Sequence, residues 1–482
     1  MHLNVGQLAE LIGGELSGPA DTASLSVGKS ITLALSQHTH ADGAVCWDLD
    51  GARATATDHK VISGRGVVTS CATDFPDSGW QIIVADVSEA LRTFAAWKRK
   101  QFAGEVVAIA GPIGKSTTRR MIAHLAELKF PATAIVTQAE DDLGRQVELS
   151  LANLGDEKLA ILECWSSNQV DLCDPTIAVL TSHPTTAGFG RETAVADTTL
   201  AALSAHAKLV LPGNLRLDDD ATCAAAQTFR YGREADCDIV LRNVTCGGGK
   251  LSFEIDEACF SIPVWGRHHA PAAAAAIAVA RAWNVPFLEI VTKLGKFSSH
   301  ALGCPVFHHA NMTFIKDTRH GGRDSHRAAL ELLREVSASA NGTGRRVIVC
   351  DKLADDKHRE TVSQAFGEQV VSVAGADVFI VIGDHSRQVA LAAREAGMSQ
   401  SAVREHIDNT NQQSHESRKA DEGVRRIAQR LAGILRSGDS VLFKASPAGQ
   451  LDDVIAALQQ ENNNLPLDSL ESLDVLPTVF QV

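Results

Sequence analysis

A short glycine loop between an apolar run and a helical pattern is the strongest constraint on the fold of this chain. Residues 106–118 read VVAIAGPIGKSTT, in which an apolar run leads into Gly111, Gly114 and Lys115. The runs LAILEC and TIAVLTS follow it, and near-continuous runs of this kind are typical of parallel strands covered on both faces. Because TRRMIAHLAELK and AAAAAIAVARAW have helical spacing, the pattern predicts a doubly wound α/β domain with a mostly parallel sheet.

The rest of the chain predicts two further α/β units. Near the N-terminus, LNVGQLAELIGGEL has helical spacing that ends at a glycine pair, and GVVTS and WQIIVAD are typical of short strands. Toward the C-terminus, RRVIVC, VFIVIG and DSVLFKA alternate with helical patterns, which indicates a Rossmann-like domain. The polar segment 399–419 and the tail after residue 460 are expected on the surface. We therefore expect three domains, at 1–104, 105–302 and 303–482.

Composition and charge exclude several classes of function. The formal net charge is -13 and no dense block of Lys and Arg is present, so nucleic-acid binding is not expected. No run approaches the ~18 apolar residues of a membrane span, and the first residues lack the pattern of a secretory signal. The ten cysteines form no C-x-x-C pair, which favours reduced, buried thiols over a zinc site. A cytoplasmic protein is therefore expected.

The glycine loop has the residue types that a phosphate site needs. Gly111 and Gly114 let backbone N–H groups turn toward an anion, and the following helix adds the partial positive charge of its N-terminus. Lys115 would lie against the outer phosphates of ATP, and Ser116 would bind Mg²⁺. Ile109 stands where the full P-loop pattern has a further glycine, so only a shorter pattern is present. The alternative interpretation is an ordinary glycine turn between a strand and a helix.

This shorter pattern, followed by two threonines, resembles the Mur ligases, which are ATP-dependent amide ligases that build the peptide of the bacterial cell-wall precursor. The resemblance covers most of residues 1–455 and is closest to the branch that joins D-alanyl-D-alanine to UDP-N-acetylmuramoyl-tripeptide. Four further stretches carry it, namely QLAELIGGELSG, GRHHAPAAAAAIAVA, IKDTRHGGRDSHRAAL and GDSVLFKASPAGQLDDVI. The family has three domains in the order that the pattern of this chain predicts.

The resemblance implies a reaction in which a substrate carboxylate attacks the γ-phosphate of ATP and an amine then displaces the phosphate. Lys115 and Glu163 would be catalytic, and Ser116 and Glu163 would hold Mg²⁺. The residues implied for the nucleotide are Gly111, Gly114, Lys115, Ser116, Thr117, His268, Asp317 and Arg319, and those implied for the amino substrate are Asp324, Lys444 and Ser446. The N-terminal domain would bind the acceptor carboxylate, and the family implies a monomer.

Three of these residues also have simpler explanations, which the sequence leaves open. Glu163 follows an apolar run and is explained equally well by a solvated strand end. Asp317 is explained by a turn that its side chain caps. Lys444, in VLFKAS, is explained by an exposed edge strand.

The chain departs from the family pattern where the chemistry is expected. Pro112 and Ile113 replace Thr-Asn in the glycine loop. Thr185 stands in place of a metal-binding histidine, with His183 nearby, and Thr199 stands in place of a lysine that becomes carbamylated. His269 and Ala272 replace two asparagines, of which the second reads adenine in the family. In the third domain, Arg319-His320-Gly321-Gly322-Arg323 replaces Tyr-Asn-Ala-Asn-Pro, and Pro447 replaces an arginine. We therefore expect the second metal site to be lost and adenine recognition to be altered.

Other charged and histidine-containing clusters have functional and simpler explanations. Arg319 and Arg323 would pair with a phosphate or carboxylate, or else lie on the surface of a drifted loop. The pairs His268-His269 and His308-His309 are not expected to bind metal, because adjacent side chains on a helix or strand point in different directions. The aspartates at 218–220 are interpreted as a solvated turn.

Two hypotheses of function follow. The preferred one is a ligase that uses ATP and Mg²⁺ to join a small-molecule carboxylate to an amine, as a diverged paralogue with a specialised substrate. The alternative is a catalytically inactive relative that binds a nucleotide or regulates a partner. An unrelated P-loop NTPase is disfavoured, because the resemblance extends through all three domains.

Overall fold

The computed structural model describes residues 3–27, 31–33, 45–48, 66–72, 79–137, 145–181, 203, 206–215, 227–298, 302, 304–318, 323–339, 344–353, 359–383, 386–406, 417–445 and 450–462. The chain divides into two compact units. The first comprises Met1–Thr245 and Lys250–Leu302, and the second comprises Cys246–Gly249 and Gly303–Val482.

The first unit begins with a small mixed sheet and two capped helices. Its elements are α1 Val5–Ile12, β1 Glu15–Ser17, β2 Ile31–Leu33, β3 Val45–Trp47, β4 Gly66–Thr69, β5 Trp80–Ile83 and α2 Val87–Gln101. The strands lie in the order β1-β5-β4-β3-β2, and β1 is antiparallel to β5. Asn4 and Gln7 form a reciprocal capping box at the start of α1, and the Asp86 carboxylate accepts two backbone N–H groups at the start of α2.

A parallel sheet in the same unit carries the glycine loop. Its strands are β6 Glu105–Ala110, β7 Ile135–Thr137, β8 Leu159–Glu163, β9 Ile177–Leu180, β10 Lys208–Pro212, β11 Gln227–Gly232 and β12 Ile239–Val240, in the order β12-β11-β10-β9-β6-β8-β7. Every described pairing in this sheet is parallel. The apolar runs of the sequence form the buried strands β6, β8 and β9, as their pattern predicts.

Five described helices of this unit pack around the sheet, three of them between its strands in the chain and two after its last strand. They are α3 Lys115–Ala126, α4 Gln146–Ala152, α5 Ser167–Cys173, α6 Ala270–Ala282 and α7 Phe287–Leu294. Helix α6 consists mostly of alanine and is buried along nearly its whole length. Because its side chains are so small, α3 packs directly against it. A further sheet, in the order β13-β14-β15, consists of β13 Arg242–Gly247, β14 Lys250–Ile255 and β15 Ala258–Ile262.

The second unit has a mostly parallel sheet with helices between its strands. The strands are β16 Val306–His309, β17 Met312–Asp317, β18 Arg346–Cys350, β19 Val378–Ile382, β20 Val403–His406 and β21 Ser440–Lys444, in the order β16-β17-β21-β18-β19-β20. Only β16 pairs antiparallel in this described sheet, with β17. The helices are α8 Arg323–Ser339, α9 Arg359–Gln369, α10 Ser386–Glu395, α11 Ser417–Ile434 and α12 Leu451–Asn462. A π-helical turn, Val370–Ala374, follows α9 directly.

The predicted α/β class is confirmed, and two local expectations need correction. The polar pattern of 399–419 predicts a surface segment. The segment includes β20, which pairs with β19 at the sheet edge, and Val403 is buried there. Burial was expected of the thiols, but Cys71 and Cys259 are exposed. In the part of the chain that the structure describes, no helix is long and apolar enough to cross a membrane. The boundaries at 104 and 302 stay predictions.

Candidate functional site

The glycine loop, the end of β8 and the end of β9 meet at the carboxyl edge of the parallel sheet. Strand β6 pairs with β8 on one side and with β9 on the other, so the chain order reverses at β6. Ile109 lies opposite Glu163, the last residue of β8. Thr181 follows β9, and its N–H donates to the carbonyl of Ala110 at 2.9 Å. Doubly wound sheets bind their ligands at such a reversal, which makes this edge the candidate site.

The backbone of the loop requires glycine at two positions. Gly111 has a φ of 126° and Gly114 a φ of 81°, which are values that residues with a side chain rarely adopt. Gly114 is the N-cap of α3 and has no side chain that could satisfy the N–H groups of the first turn. A loop of this kind, followed directly by a helix N-terminus, is the arrangement that proteins use to hold phosphate groups.

Lys115 is the basic residue of the loop and lies almost fully buried. Its Nζ donates a hydrogen bond to the carbonyl oxygen of Gly111 at 2.7 Å. The same Nζ lies 3.8 Å from the ring centroid of Trp165, which follows β8 after one intervening residue. Trp165 is 61% exposed, whereas Lys115 is 5% exposed. The indole ring therefore contacts the ammonium on the solvent side of the loop, a contact that sequence reasoning missed.

Glu163 accepts hydrogen bonds from two side chains of α3. Ser116 Oγ donates to Glu163 Oε2 at 2.9 Å, and Arg119 Nε donates to Oε1 at 2.5 Å. The structure thus brings together Ser116 and Glu163, and the explanation of Glu163 as a solvated strand end is wrong because Glu163 is buried. Arg119 was missed, although it lies three residues after Ser116 and therefore on the same face of the helix.

The oxygen atoms of Ser116 and Glu163 fit a magnesium ion. A hydroxyl and a carboxylate are hard oxygen ligands, and Mg²⁺ keeps several waters besides a small number of such protein ligands. Glu163 Oε2 and Ser116 Oγ already lie 2.9 Å apart on the loop side of the sheet. The guanidinium of Arg119 contacts the other carboxylate oxygen, so any metal would share Glu163 with a permanent positive charge.

Two hydroxyl groups connect the glycine loop, the end of β9 and β11 by hydrogen bonds. Thr181 Oγ1 donates to the carbonyl of Ile113 at 2.5 Å. The hydroxyl of Tyr231, on β11, lies 2.8 Å from the carbonyl oxygen of Leu180 and 2.6 Å from that of Thr181. Burial raises the pKa of Tyr231, so this hydroxyl stays protonated and can act as a donor. The chain of contacts runs from β11 through the end of β9 to the glycine loop.

Cys164, the residue after Glu163, forms a pair of thiols with Cys173. The sulfur atoms of Cys164 and Cys173 are 3.8 Å apart, and both residues are buried. The hydrogen bond with Cys173 and burial raise the pKa of Cys164 well above its ordinary value. Cys164 is therefore a neutral thiol and not a nucleophile.

The predicted nucleotide residues before α6 form a short turn. His268 and His269 lie in a 3₁₀ turn at Arg267–His269, with their ring centroids 4.0 Å apart. Burial lowers the pKa of His269 well below its ordinary value, so its ring is neutral. Gly266 has a φ of 102°, and a Cβ at this position would overlap the ring of His268. The glycine at 266 thus leaves room for the ring of His268, and Ala272 is buried within α6.

In the second unit, Asp317 and Lys444 form a buried ion pair. Lys444 Nζ lies 3.0 Å from Asp317 Oδ2, and the side chains are 0% and 4% exposed. The explanation of Lys444 as an exposed edge residue is wrong, because β21 lies between β17 and β18. The explanation of Asp317 as a turn cap does not account for this ion pair. The expectation that Lys444 faces an amino substrate remains a prediction.

His326, on α8, is a further buried group that sequence reasoning missed. Its Nε2 has no hydrogen-bond partner in the described part of the chain. Burial, and then the positive charge of Lys444, lower the pKa of His326 to about 3. The ring is therefore neutral and packs edge-to-face on Phe366.

Comparison with known proteins identifies the parallel sheet that carries this loop. Residues 109–280 match the family described as the Mur ligase middle domain. The part of the chain that carries the glycine loop is therefore similar to a Mur ligase middle domain. A UDP-N-acetylmuramoyl-tripeptide--D-alanyl-D-alanine ligase from Synechocystis sp. is 25% identical over 439 residues, which cover 86% of this chain and 85% of that ligase.

Solved Mur ligases share the fold of most of this chain. A crystal structure of MurF from Acinetobacter baumannii matches with a TM-score of 0.74 and 18% identity, over 95% of this chain and 99% of that one. The MurF ligase from Thermotoga maritima in complex with ADP matches with a TM-score of 0.67 and 18% identity, over 90% of this chain and 98% of that one. The resemblance to the Mur ligases that the motifs predict is therefore confirmed.

Several residues predicted from the Mur ligase pattern lie outside the described residues. They are His183, Thr185, Thr199, Arg319, His320, Gly321, Gly322, Ser446 and Pro447, and the aspartates at 218–220. Arg323 and Asp324 belong to α8, but their side chains are not described. The replaced second metal site of the Mur ligase pattern thus stays a prediction. In the described residues, no group of three or more His, Cys, Asp and Glu side chains is arranged to hold a metal ion.

Proposed function

We propose that this protein is an ATP-dependent ligase that forms an amide bond through an acyl phosphate. The observation that carries the proposal is the arrangement at the carboxyl ends of β6 and β8. There, a glycine loop, a buried lysine and a serine–glutamate pair lie at the reversal point of a parallel sheet. The relatives support it, because the Synechocystis protein is named a ligase and the T. maritima structure is a complex with ADP.

The loop and α3 supply the groups that hold a triphosphate. The first-turn N–H groups of α3 and the Lys115 ammonium provide positive charge around the phosphate oxygens. Ser116 and Glu163 would hold Mg²⁺, which neutralises charge on the phosphates when it is bound. Thr117 and His268 are proposed nucleotide contacts from the family pattern. Positioning and charge neutralisation are therefore the main contributions of these residues.

The proposed reaction has two displacement steps. An oxygen of the substrate carboxylate bonds to the γ-phosphorus of ATP while the bond to the bridging oxygen breaks, and ADP leaves. The nitrogen of the amine then bonds to the acyl carbon, inorganic phosphate leaves and the nitrogen loses a proton. Lys115 stabilises the negative charge that develops on the phosphoryl oxygens in the first step.

For the second unit, we propose the roles that the family pattern gives it. Asp317 and Arg319 would contact the nucleotide, and Asp324, Lys444 and Ser446 the amino substrate. The buried Asp317–Lys444 pair supports a role beyond packing, because a buried ion pair contributes little net stability compared with apolar residues of similar size.

We further propose that the substrate differs from that of the ligases in the comparison. Identity to the Synechocystis ligase is only 25%. Ile113, in the loop itself, and Trp165, above Lys115, are large exposed apolar side chains. Cell-wall precursor ligases are therefore relatives in reaction type, and the acceptor of this protein is a specialised carboxylate.

The Arg119–Glu163 ion pair favours a second candidate function, an inactive nucleotide-binding protein. The guanidinium places a fixed positive charge on the carboxylate that the reaction needs for Mg²⁺. A nucleotide would still bind to the loop and Lys115, but the phosphoryl transfer would lose stabilisation by the metal.

Calorimetric titration with MgATP tests the proposed nucleotide site. We expect the wild type to bind MgATP and Lys115→Ala to lose most of the binding. Lys129→Ala is the matched control, because Lys129 pairs with Glu105 in the same unit and is partly exposed. Equal binding by the wild type and Lys115→Ala would refute the nucleotide site.

Phosphate release then separates the ligase from the inactive candidate. The purified protein is incubated with MgATP and pools of carboxylates and amines, and inorganic phosphate is measured with and without each pool. Phosphate release that requires both pools supports the ligase. Binding of MgATP without release in the presence of any pool supports the inactive nucleotide-binding protein.

A further inference from the structure

Trp165 is a large apolar side chain exposed at the phosphate loop, and it contacts the one lysine of that loop. Its ring centroid lies 3.8 Å from Lys115 Nζ, which is within the range of a cation–π interaction. The same ammonium also donates a hydrogen bond to the carbonyl of Gly111, 2.7 Å away. The ammonium is thus held between a ring on one side and the loop backbone on the other.

The backbone at Trp165 is anchored by hydrogen bonds of the turn that follows β8. The N–H of Trp165 donates to Gln169 Oε1 at 2.8 Å, and Ser166, the next residue, caps α5. Gln169 is itself buried, and its side-chain amide donates to Glu148 on α4. The backbone of the turn between β8 and α5 is therefore anchored, and the indole lies against the Lys115 ammonium although most of its surface is exposed.

We propose that Trp165 is a positioning residue that holds Lys115 on the loop carbonyl when no polyphosphate is bound. This inference rests on the proposed function, because it requires that a polyphosphate reaches Lys115. An ammonium that moves onto phosphate oxygens gives up its contact with the ring. The ring therefore lowers the affinity of the site for nucleotides, and its contact with Lys115 reports whether the site is occupied.

Titration of Trp165 variants with MgATP tests the effect on affinity. A cation–π contact with an exposed ring is worth about 0.5–1 kcal/mol, so Trp165→Ala is expected to bind MgATP about two- to five-fold more tightly than the wild type. Trp165→Phe keeps an aromatic face and is expected to bind with intermediate affinity. Leu288→Ala removes another exposed apolar side chain of the same unit and is expected to leave binding unchanged.

Fluorescence provides a signature that a merely structural role of Trp165 would not produce. The sequence has six tryptophans, so the emission of Trp165 is obtained as the difference between the wild type and Trp165→Phe. We expect Lys115→Met to change this difference emission without any nucleotide, and MgATP to change it in the wild type. An identical response to MgATP in the wild type and in Trp165→Phe would overturn the proposal.

The outcomes separate this inference from the proposed function. Equal or weaker binding of MgATP by Trp165→Ala, with normal binding by the wild type, overturns the inference alone. Binding by Trp165→Ala with none by the wild type supports the inference in its strongest form. Absence of binding in both proteins overturns the inference and the proposed nucleotide site together. A thermal melt of each variant verifies that it is folded.

Discussion

Replacement of Arg119 by methionine is the most direct perturbation of the candidate site. Arg119 and Glu163 are both buried, with side chains 8% exposed, and Nε lies 2.5 Å from Oε1. Methionine has an unbranched side chain that can fill much of the space of the arginine stem, so the main change is the loss of the positive charge. The buried Glu163 carboxylate would then lose the guanidinium that contacts its Oε1.

The size of the effect follows from the burial of the pair. At an effective dielectric constant of about 20, unit charges roughly 4 Å apart attract each other by about 4 kcal/mol. Breaking a buried ion pair by removing one partner typically costs about 3–5 kcal/mol. The Ser116 hydroxyl still donates to Glu163 Oε2, which keeps the expected loss near the lower end, at about 3 kcal/mol.

Urea denaturation of three variants tests this value. Arg119→Met is expected to lower the free energy of unfolding by about 3 kcal/mol. The double variant Arg119→Met/Glu163→Gln is expected to recover most of the loss, because both charges of the ion pair are then removed together. Arg281→Met is the control, because Arg281 pairs with Asp256 on an exposed surface and its removal should cost less than about 1 kcal/mol. A loss below about 1 kcal/mol for Arg119→Met, or no recovery in the double variant, would refute the reasoning.

Three further predictions concern the loop and the second unit. Gly114→Ala forces a side chain onto a φ of 81°, so it should lower stability by about 1–2 kcal/mol and weaken MgATP binding, as measured by denaturation and calorimetry; unchanged values would contradict the required backbone shape. Lys444→Met should cost about 3–5 kcal/mol in urea denaturation, because it removes the ammonium that pairs with a buried carboxylate. Asp317→Asn/Lys444→Met should cost much less, and equal losses would contradict this. The pKa of His326 is about 3 in the folded chain, so its contribution to stability is complete above pH 6.5 and is lost as the pH falls toward 3. His326→Leu should therefore remove about 2 kcal/mol of the difference in unfolding free energy between pH 7.5 and pH 5, and an unchanged pH slope would be the contrary result.

The central part of the site was predictable from sequence because its signals are local. The strand, the two glycines and Lys115 follow one another closely, and Glu163 ends an apolar run that is typical of a buried strand. Arg119 and Trp165 were missed for a common reason. Each acts through a partner on another element, and the distance from α3 to the end of β8 depends on how the sheet and helices pack.

Lys444 shows the same limit in the second unit. A lysine in a strand is most simply explained by an edge position, and the chain order places β21 last. The fold inserts β21 between β17 and β18, so its last residue is enclosed on both sides. Strand order is a property of the whole sheet, and no short pattern in VLFKAS encodes it.

Tyr231 is the single tyrosine of the sequence, and it lies beneath the glycine loop. Incorporation of tyrosine labelled only at the ζ ring carbon would therefore give one aromatic NMR signal, without any mutation and without assignment. The chemical shift of that signal would respond to movement of the carbonyl groups of Leu180 and Thr181. Exchange broadening of the signal would then measure, on the millisecond timescale, how often the contact between the Tyr231 hydroxyl and these carbonyl groups breaks.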